Sequence, residues 1–193
     1  MPFEEHYPAW RQALAGGGWR GSGEELPAAA AAWLLHQGSL TEKLRGRCGS
    51  LKVRIVRQGW FSGSLKTNEA SFCAAKTDAA GLPAVETAQT GGVAAAAPER
   101  VWLREVMLFG DGVPWVFAQT LLPESGARGA AAGLTGLGDE PIGPWLFARR
   151  TRRQSLQWRR EEGGLYARRS MLLLEGSPLQ ISELFLPQFD FAG

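Results

Sequence analysis

Alternating apolar and polar residues mark the strand candidates in this chain of 193 residues. Leu51–Ile55 alternates strictly, which is typical of a strand with one buried face, and Leu156 and Trp158 alternate with polar neighbours in the same way. The remaining candidates are two pairs of apolar segments joined by glycine-containing turns, namely Val101–Phe109 with Val113–Leu122 and Tyr166–Glu175 with Leu179–Leu186. Pro114 indicates a bulge or an edge strand near the start of its segment. The pattern predicts five or six strands, mostly joined as hairpins.

Helix signals are short. Pro27 precedes an alanine-rich run over 28–36, where a proline suits the first helical turn. Ser39 and Glu42 match a capping box, which predicts a second helix up to about Arg47. Residues 141–148 hold enough apolar side chains for one or two helical turns packed on a sheet. Hairpin-linked strands with a few short helices predict an α+β fold, a single domain with a mainly antiparallel sheet of about six strands.

Two stretches stand apart from this pattern. Residues 1–26 contain two glycine-rich patches and predict a flexible N-terminal lead-in, which leaves 27–193 as the folded domain. Residues 63–99 are rich in Ala, Gly, Thr and Ser and show no sustained periodicity. A segment of that length without structure is unusual in a compact domain, so we expect a long insertion, a mobile loop or a flap.

Composition and charge exclude several classes of protein. The formal net charge is +2, and no run approaches the roughly 18 to 20 large apolar residues of a membrane span. The acidic start Met1–Glu5 has no apolar stretch behind it, so we expect a cytoplasmic protein without a secretory signal. The spacing of Cys48 and Cys73 fits neither a disulfide scaffold nor a zinc ribbon, and His6 and His36 stand alone, so no metal site is predicted.

Arginine is unusually frequent. Seventeen Arg stand against four Lys, and eight of the Arg fall between Arg149 and Arg169, opposed there only by Glu161 and Glu162. A solvated face is the usual reason for such a run, and a nucleic-acid binder would carry a much higher net charge. We therefore expect no nucleic-acid partner. The chain also lacks a P-loop and a Gly-x-Ser-x-Gly nucleophile motif.

Two charged residues stand in otherwise apolar strand faces. Glu183 shares a face with Ile181 and Phe185, and Arg104 shares one with apolar neighbours on both sides. A buried charge is unfavourable by several kcal/mol unless it is paired. Either Arg104 and Glu183 form an ion pair that joins two strands, or each faces a cavity where a charged ligand completes the pairing. Glu105 competes with Arg104 as the inward charge, and periodicity does not decide between them.

Short motifs that include these charges follow one another in a defined order. They are Trp33–Leu35, Ser39–Thr41, Val56–Gly59, Trp102–Glu105, Asp111–Trp115, Pro141–Gly143, Gly164–Ser170 and Glu183–Pro187. In this order they resemble the bacterial chorismate pyruvate-lyase family, which makes 4-hydroxybenzoate for ubiquinone biosynthesis. The resemblance covers roughly residues 30–62 and 100–187. No single motif is specific, whereas the ordered set is.

The resemblance implies a fold in which short helical flaps cover a buried ligand cavity, and a lyase that converts chorismate to 4-hydroxybenzoate and pyruvate without a cofactor. It places the substrate contacts on Leu40, Arg104, Ile142 and Glu183, with Arg104 and Glu183 as the catalytic pair. Arg104 is implied to bind a substrate carboxylate and Glu183 the ring hydroxyl. Contacts at Leu40 and Ile142 are expected through backbone amides, so the methionine and leucine found there in a relative matter little.

Further expectations concern neighbouring charges and alternatives. Arg57, Arg168 and Arg169 are candidates for steering the dianion or holding its second carboxylate, or are ordinary strand charges. A product that keeps the same contacts should leave slowly, so we expect product inhibition with release gated near Leu40 and Ile142. We expect a monomer. The alternatives are an effector-binding domain of the same fold, which binds small carboxylates without turnover, and a structural relative that has lost the site.

Overall fold

Six antiparallel strands form one sheet in the computed structural model, which describes residues 3–62, 100–129 and 131–192. The strands are β1 (Leu51–Ser62), β2 (Arg100–Gly110), β3 (Val113–Pro123), β4 (Thr151–Arg160), β5 (Tyr166–Leu174) and β6 (Ser177–Phe185). Their order across the sheet is β1-β2-β3-β6-β5-β4, so sequential strands pair as hairpins on either side of the central β3–β6 contact. The predicted α+β fold with an antiparallel sheet is confirmed.

The helices are short. A 3-10 helix (Phe3–His6) is followed by α1 (Tyr7–Ala15), α2 (Ala28–Leu34), α3 (Leu40–Arg45), α4 (Glu124–Ala127), α5 (Ala132–Thr135) and α6 (Ile142–Phe147). The predicted capping box is confirmed in part, because the Ser39 hydroxyl accepts a hydrogen bond from the Glu42 amide at 3.3 Å. No helix within the described ranges is long and apolar enough to cross a membrane.

The beginning of the chain contains a helix that the sequence pattern did not predict. Helix α1 packs on the sheet through Trp10 and Leu14, both buried, which lie four residues apart and so share one helix face. Further along, Arg20 forms an isolated β-bridge to Trp158 on the edge strand β4, with both N···O distances 2.8 Å. The sequence pattern did not predict helix α1, and the flexible lead-in over 1–26 and the domain boundary at 27 stay predictions. The predicted insertion over 63–99 lies outside the described residues.

Turns and bulges set which side chains face which way. At the β2–β3 turn, Asp111 and Gly112 both have positive φ, and the Asp111 carboxylate accepts from the Ser50 amide at 2.8 Å. The bulge that Pro114 predicted is confirmed by a register shift beside Phe109. A second shift between Ile55 and Arg57 in β1 was not predicted.

The two faces of the sheet have different covers. One face carries two apolar clusters, one packed with α2 and α3 and the other with α4, α5 and α6; we call it the helical face. The other carries Met107 and Phe117 and is covered by α1 through Trp10 and Leu14; we call it the α1 face. In β2, Arg104 belongs to the helical face and Glu105 to the α1 face, because successive side chains alternate.

Candidate active site

A band of polar side chains lies on the helical face between its two apolar clusters. The strand register aligns Arg104, Thr120 and Ser170 in one row and Arg168 with Glu183 in the next. All five belong to strands β2, β3, β5 and β6, and all except Glu183 are buried. We call this set the polar band. Buried polar side chains among apolar ones need partners, so each one's contacts indicate what the band can bind.

Arg104 is incompletely satisfied. Its side chain is among the largest fully buried ones, and Nη2 donates hydrogen bonds to the backbone carbonyls of Gly138 and Glu140, each at 2.8 Å. Its Nε is buried and has no hydrogen-bond partner in the part of the chain that the structure describes. Burial lowers the pKa of Arg104 and the neighbouring Asp139 raises it, yet a guanidinium stays charged at any working pH. A carboxylate or hydroxyl oxygen would complete the hydrogen bonding of this cation.

Glu183 pairs with Arg168 and not with Arg104. The two residues are cross-strand partners between β5 and β6, and Arg168 Nε lies 2.7 Å from Glu183 Oε2. Among the described residues neither atom has a hydrogen bond of good geometry, so the contact between the guanidinium and the carboxylate is an ion pair without an aligned hydrogen bond. The predicted alternative of an Arg104–Glu183 ion pair is therefore wrong, because the nearer cation on β5 already occupies one carboxylate oxygen.

The arginines of this face also hold the loop before α3. Arg168 Nη1 donates to the carbonyls of Trp33 and His36 at 3.0 and 3.2 Å. Arg153, on β4, donates to the Ser170 hydroxyl and, through Nη2, to the Gln37 carbonyl at 3.0 Å. The chain leading from α2 to Leu40 is thus tied to the sheet at three carbonyls.

Helices α3 and α6 meet at their first turns. Leu40 and Ile142 are the first residues of the two helices, and Leu40 is buried while Ile142 is half-buried. Between them, a Cβ placed on Gly143 would lie 2.3 Å from Ser39 Oγ and 2.8 Å from Thr41 Oγ1. Only glycine permits this close approach. The segments before both helices are held by arginines of the helical face, so the two helix starts lie beside the polar band.

Comparison with known proteins agrees with this arrangement. A model of the family described as chorismate lyase matches residues 18–191. The chain belongs to the chorismate lyase family. A chorismate pyruvate-lyase from Pectobacterium atrosepticum is 34% identical over 163 residues, which is 84% of this chain and 80% of the relative. One from Sodalis glossinidius is 38% identical over 161 residues, 82% of this chain and 78% of the relative.

Solved structures with a similar chain course include ligand-binding domains of regulators. The effector domain of PhnF from Mycobacterium smegmatis has 15% sequence identity and a TM-score of 0.45, covering 79% of this chain and 90% of that one. The ligand-binding domain of a putative GntR-family regulator from Bordetella bronchiseptica has 15% identity and a TM-score of 0.43, covering 73% and 85%. At these scores the likeness carries no argument about function.

The family resemblance and the structure agree on which charges share a face. Arg104, Glu183 and the candidate Arg168 belong to the polar band, and Leu40 and Ile142 begin the two helices beside it. The contacts of these residues with a substrate stay a prediction. Within the described ranges, no three His, Cys, Asp or Glu side chains lie close enough together to hold a metal ion.

Two other candidates lie on the α1 face. The unpredicted bulge in β1 turns Arg57 away from Arg104 and places it opposite Glu105, to which its Nε donates at 2.6 Å. Arg169 Nη2 donates to Gln157 Oε1 at 2.7 Å, and its guanidinium lies 4.5 Å from the ring centre of Trp19. Both side chains are thus separated by the sheet from the polar band, and the idea that they hold a substrate carboxylate there is wrong.

Sequence reasoning missed Arg153. It lies in an arginine-rich strand next to Arg152. Because side chains alternate along a strand, the sequence indicates only that one of these two arginines points to the helical face. A register shift between Arg153 and Ser155 then breaks the alternation that would have related it to Trp158. Its bond to Ser170, a residue in the family motif Gly164–Ser170, is visible only once the strands are paired.

Proposed function

We propose that this protein is a chorismate lyase that binds chorismate at the polar band and releases 4-hydroxybenzoate and pyruvate. Membership of the chorismate lyase family and the similarity to chorismate pyruvate-lyases of other bacteria support this activity. The observation that carries the site is Arg104, a buried cation with an unpartnered Nε on the same face as Glu183. A buried N–H group without an acceptor is unfavourable, and an oxygen atom of a bound ligand can supply that acceptor.

Arg104 and Glu183 are spaced for the two ends of one ring. They stand on strands two positions apart and in adjacent rows, which from strand spacing and rise puts their Cα atoms roughly 12 Å apart. Both side chains are long enough to approach the opposite ends of a six-membered ring that bears a carboxylate and a hydroxyl. Arg104 then binds the ring carboxylate through Nε, as a charge-assisted hydrogen bond in a buried setting.

Glu183 takes the ring hydroxyl. Its Oε2 faces Arg168, and no hydrogen bond from the described residues reaches Oε1, so Oε1 is the acceptor that the substrate meets. The hydroxyl sits on the ring carbon whose hydrogen is lost. A hydrogen bond at that position therefore fixes the reacting carbon relative to the ether bond that breaks.

The reaction needs little beyond positioning. The ring C–O bond to the enolpyruvyl ether breaks, the neighbouring ring hydrogen leaves, and the electron pair of that C–H bond completes the aromatic ring. The ether oxygen leaves with the electron pair of the C–O bond as the enolate of pyruvate, and the methylene carbon takes up one proton to become the methyl group. With that proton replacing the one lost from the ring, the atoms of chorismate equal those of the two products. Because aromatisation drives the step, the protein contributes orientation and exclusion of water.

The product keeps both recognition groups. 4-Hydroxybenzoate still has the carboxylate for Arg104 and the hydroxyl for Glu183, while pyruvate takes away the rest. We therefore expect tight product binding and inhibition, with release limited by the helix starts at Leu40 and Ile142. An effector-binding domain would bind the same ligand without turnover, and the family match does not favour it.

The deciding experiment is incubation of the purified protein with chorismate alone, with both products quantified. Equimolar 4-hydroxybenzoate and pyruvate support the proposal, and their loss in Arg104→Met and Glu183→Gln locates the site. Arg152→Met and Glu162→Gln are the matched controls, because both residues are exposed. If chorismate survives while 4-hydroxybenzoate still binds, the protein is a carboxylate-binding module and the lyase proposal fails.

A further inference from the structure

The loop of residues 35–39 between α2 and α3 is held by two arginines that come from different strands. Arg168 on β5 reaches the carbonyls of Trp33 and His36, at the C-terminal end of α2. Arg153 on β4 reaches the carbonyl of Gln37. Carbonyls past a helix C-terminus lack intrahelical partners, and arginine side chains satisfy them well. Side chains of the sheet thus fix the position of the loop. The loop leads directly into Leu40.

This arrangement brings several cationic groups close together. Burial lowers the pKa of Arg153, the adjacent Arg168 lowers it further, and Glu183 raises it. Burial also lowers the pKa of His36, with Lys43 and Arg168 acting in the same direction, so this imidazole is neutral at pH 7 and adds no further charge. Two neighbouring guanidinium groups repel each other and depend on acceptors around them. Several of those acceptors are backbone carbonyls of the loop and of the end of α2. If the loop opens, both guanidinium groups therefore lose hydrogen bonds.

Arg153 differs from Arg168 in one respect that makes it testable. Arg168 forms the ion pair with Glu183, whereas among the described residues Arg153 forms no hydrogen bond or ion pair with Arg104 or Glu183. Its Nη1 is oriented by the Ser170 hydroxyl, which leaves Nη2 directed at Gln37. Removing Arg153 therefore loosens the loop and leaves Arg104 and Glu183 with their own partners.

We propose that Arg153 is a positioning residue that holds the α2–α3 loop, and with it Leu40, closed beside the polar band, and so slows release of the bound aromatic carboxylate. The proposal rests on the proposed function in naming 4-hydroxybenzoate as that ligand. It adds a residue outside the family motifs, on the edge strand, whose role is in product release and not in the elimination step.

The test compares Arg153→Met with Arg152→Met. Arg152 is the preceding residue of the same strand, is exposed, and has the same charge, so it controls for loss of a cation on β4. We expect 4-hydroxybenzoate to dissociate about tenfold faster from Arg153→Met in stopped-flow tryptophan fluorescence, the scale of one hydrogen bond to a charged group. Where release limits turnover, kcat rises by the same factor while kcat/KM stays within about twofold. A purely structural role would lower kcat/KM and Tm without raising the dissociation rate.

A second readout needs no ligand. Amide hydrogen exchange over residues 35–40 should be faster in Arg153→Met and unchanged in Arg152→Met, and Arg153→Lys should restore part of the protection. If Arg153→Met does not fold, Ser170→Ala tests the same tie in the ligand-free exchange experiment alone, because it removes the hydroxyl that orients Arg153. Unchanged exchange and unchanged dissociation would overturn the proposal. Failure to convert chorismate would overturn the proposed function alone, since the exchange comparison still decides whether Arg153 holds the loop.

Discussion

Arg104 and Glu105 are neighbours on β2, both almost fully buried, yet their surroundings differ completely. Glu105 on the α1 face accepts hydrogen bonds from Arg11, Arg57 and Gln119, so that both carboxylate oxygens are occupied. Arg104 on the helical face has two carbonyls for one nitrogen and none for Nε. The saturated charge joins α1 and β1 to the sheet, whereas the unsaturated one is the charge that we propose binds the substrate.

The contrast explains why burial alone does not identify a site. An ion pair whose partners all come from the protein is complete without a ligand and serves the fold. A buried cation with an unused donor is unfavourable in the empty protein and becomes favourable when an anion binds. The two faces of one strand thus separate a charge with complete partners, Glu105, from the charge that we propose binds the substrate, Arg104.

The largest effect is expected from Arg104→Met. We expect kcat/KM for chorismate to fall at least about 100-fold, because the variant removes a buried charge that pairs with substrate. Stability should change little, since an apolar side chain replaces a cation that the empty protein satisfies incompletely. Steady-state assays with urea unfolding in parallel check both. A loss of less than about fivefold in kcat/KM would mean that Arg104 does not bind the substrate.

Glu105→Ala should give the opposite outcome. It leaves Arg11 and Arg57 with unpaired charges against the sheet, and we expect a loss of about 3 kcal/mol in the free energy of unfolding. The folded fraction should keep kcat/KM within about threefold. Glu42→Gln is the control, because it removes an exposed pair with Arg45 that contributes about 0 to 1 kcal/mol. Equal destabilisation by the two variants would contradict the contrast.

Gly143→Ala tests the contact between the two helix starts. The added methyl group would meet Ser39 Oγ and Thr41 Oγ1 at distances that force α3 and α6 apart. We expect inhibition by 4-hydroxybenzoate to weaken about tenfold, since looser helix starts release the product sooner. Inhibition constants from steady-state assays measure this. Adding Ser39→Gly to Gly143→Ala removes the nearest clash and should restore part of the affinity; no recovery would place the effect elsewhere.

The smallest effect is a pH dependence of stability. Burial raises the pKa of Glu105, but hydrogen bonds from Arg57 and Arg11 outweigh it and hold the pKa below its ordinary value of 4.5. A group with a depressed folded-state pKa stabilises the protein above its unfolded pKa, and this contribution disappears as the pH falls through the folded value. Urea midpoints between pH 7 and pH 3 should therefore fall more steeply for the parent than for Glu105→Gln. Parallel curves would show that Glu105 is not the responsible group.

Strand positions and the first turn of α3 were predictable because they depend on local pattern. Alternation located β1 and β4, apolar segments joined by glycine-containing turns located the two hairpins, and Ser39 with Glu42 predicted the helix cap. The pairing of Arg168 with Glu183 was also within reach. Glu175 and Gly176 form a two-residue turn with positive φ, and a turn of that length places residue 168 opposite residue 183.

Other features could not be predicted because they depend on long-range contacts. Arg57 changes face through a bulge at which the sequence has no glycine or proline, and Arg153 lies next to another such bulge. The choice between Arg104 and Glu105 depends on which helices cover each face. Helix α1 was missed because nearby glycine patches outweighed the spacing of Trp10 and Leu14, which was the available signal.

The bridge between Arg20 and Trp158 has a practical consequence for how the protein is produced. Strand β4 is an outer strand of the sheet, and such strands recruit further strands and aggregate unless something covers them. The segment before position 27 covers part of that edge at the bridge and shields Met107 and Phe117 through α1. A gene truncated to start at residue 27 would therefore yield inclusion bodies more readily than one that keeps helix α1 and Arg20.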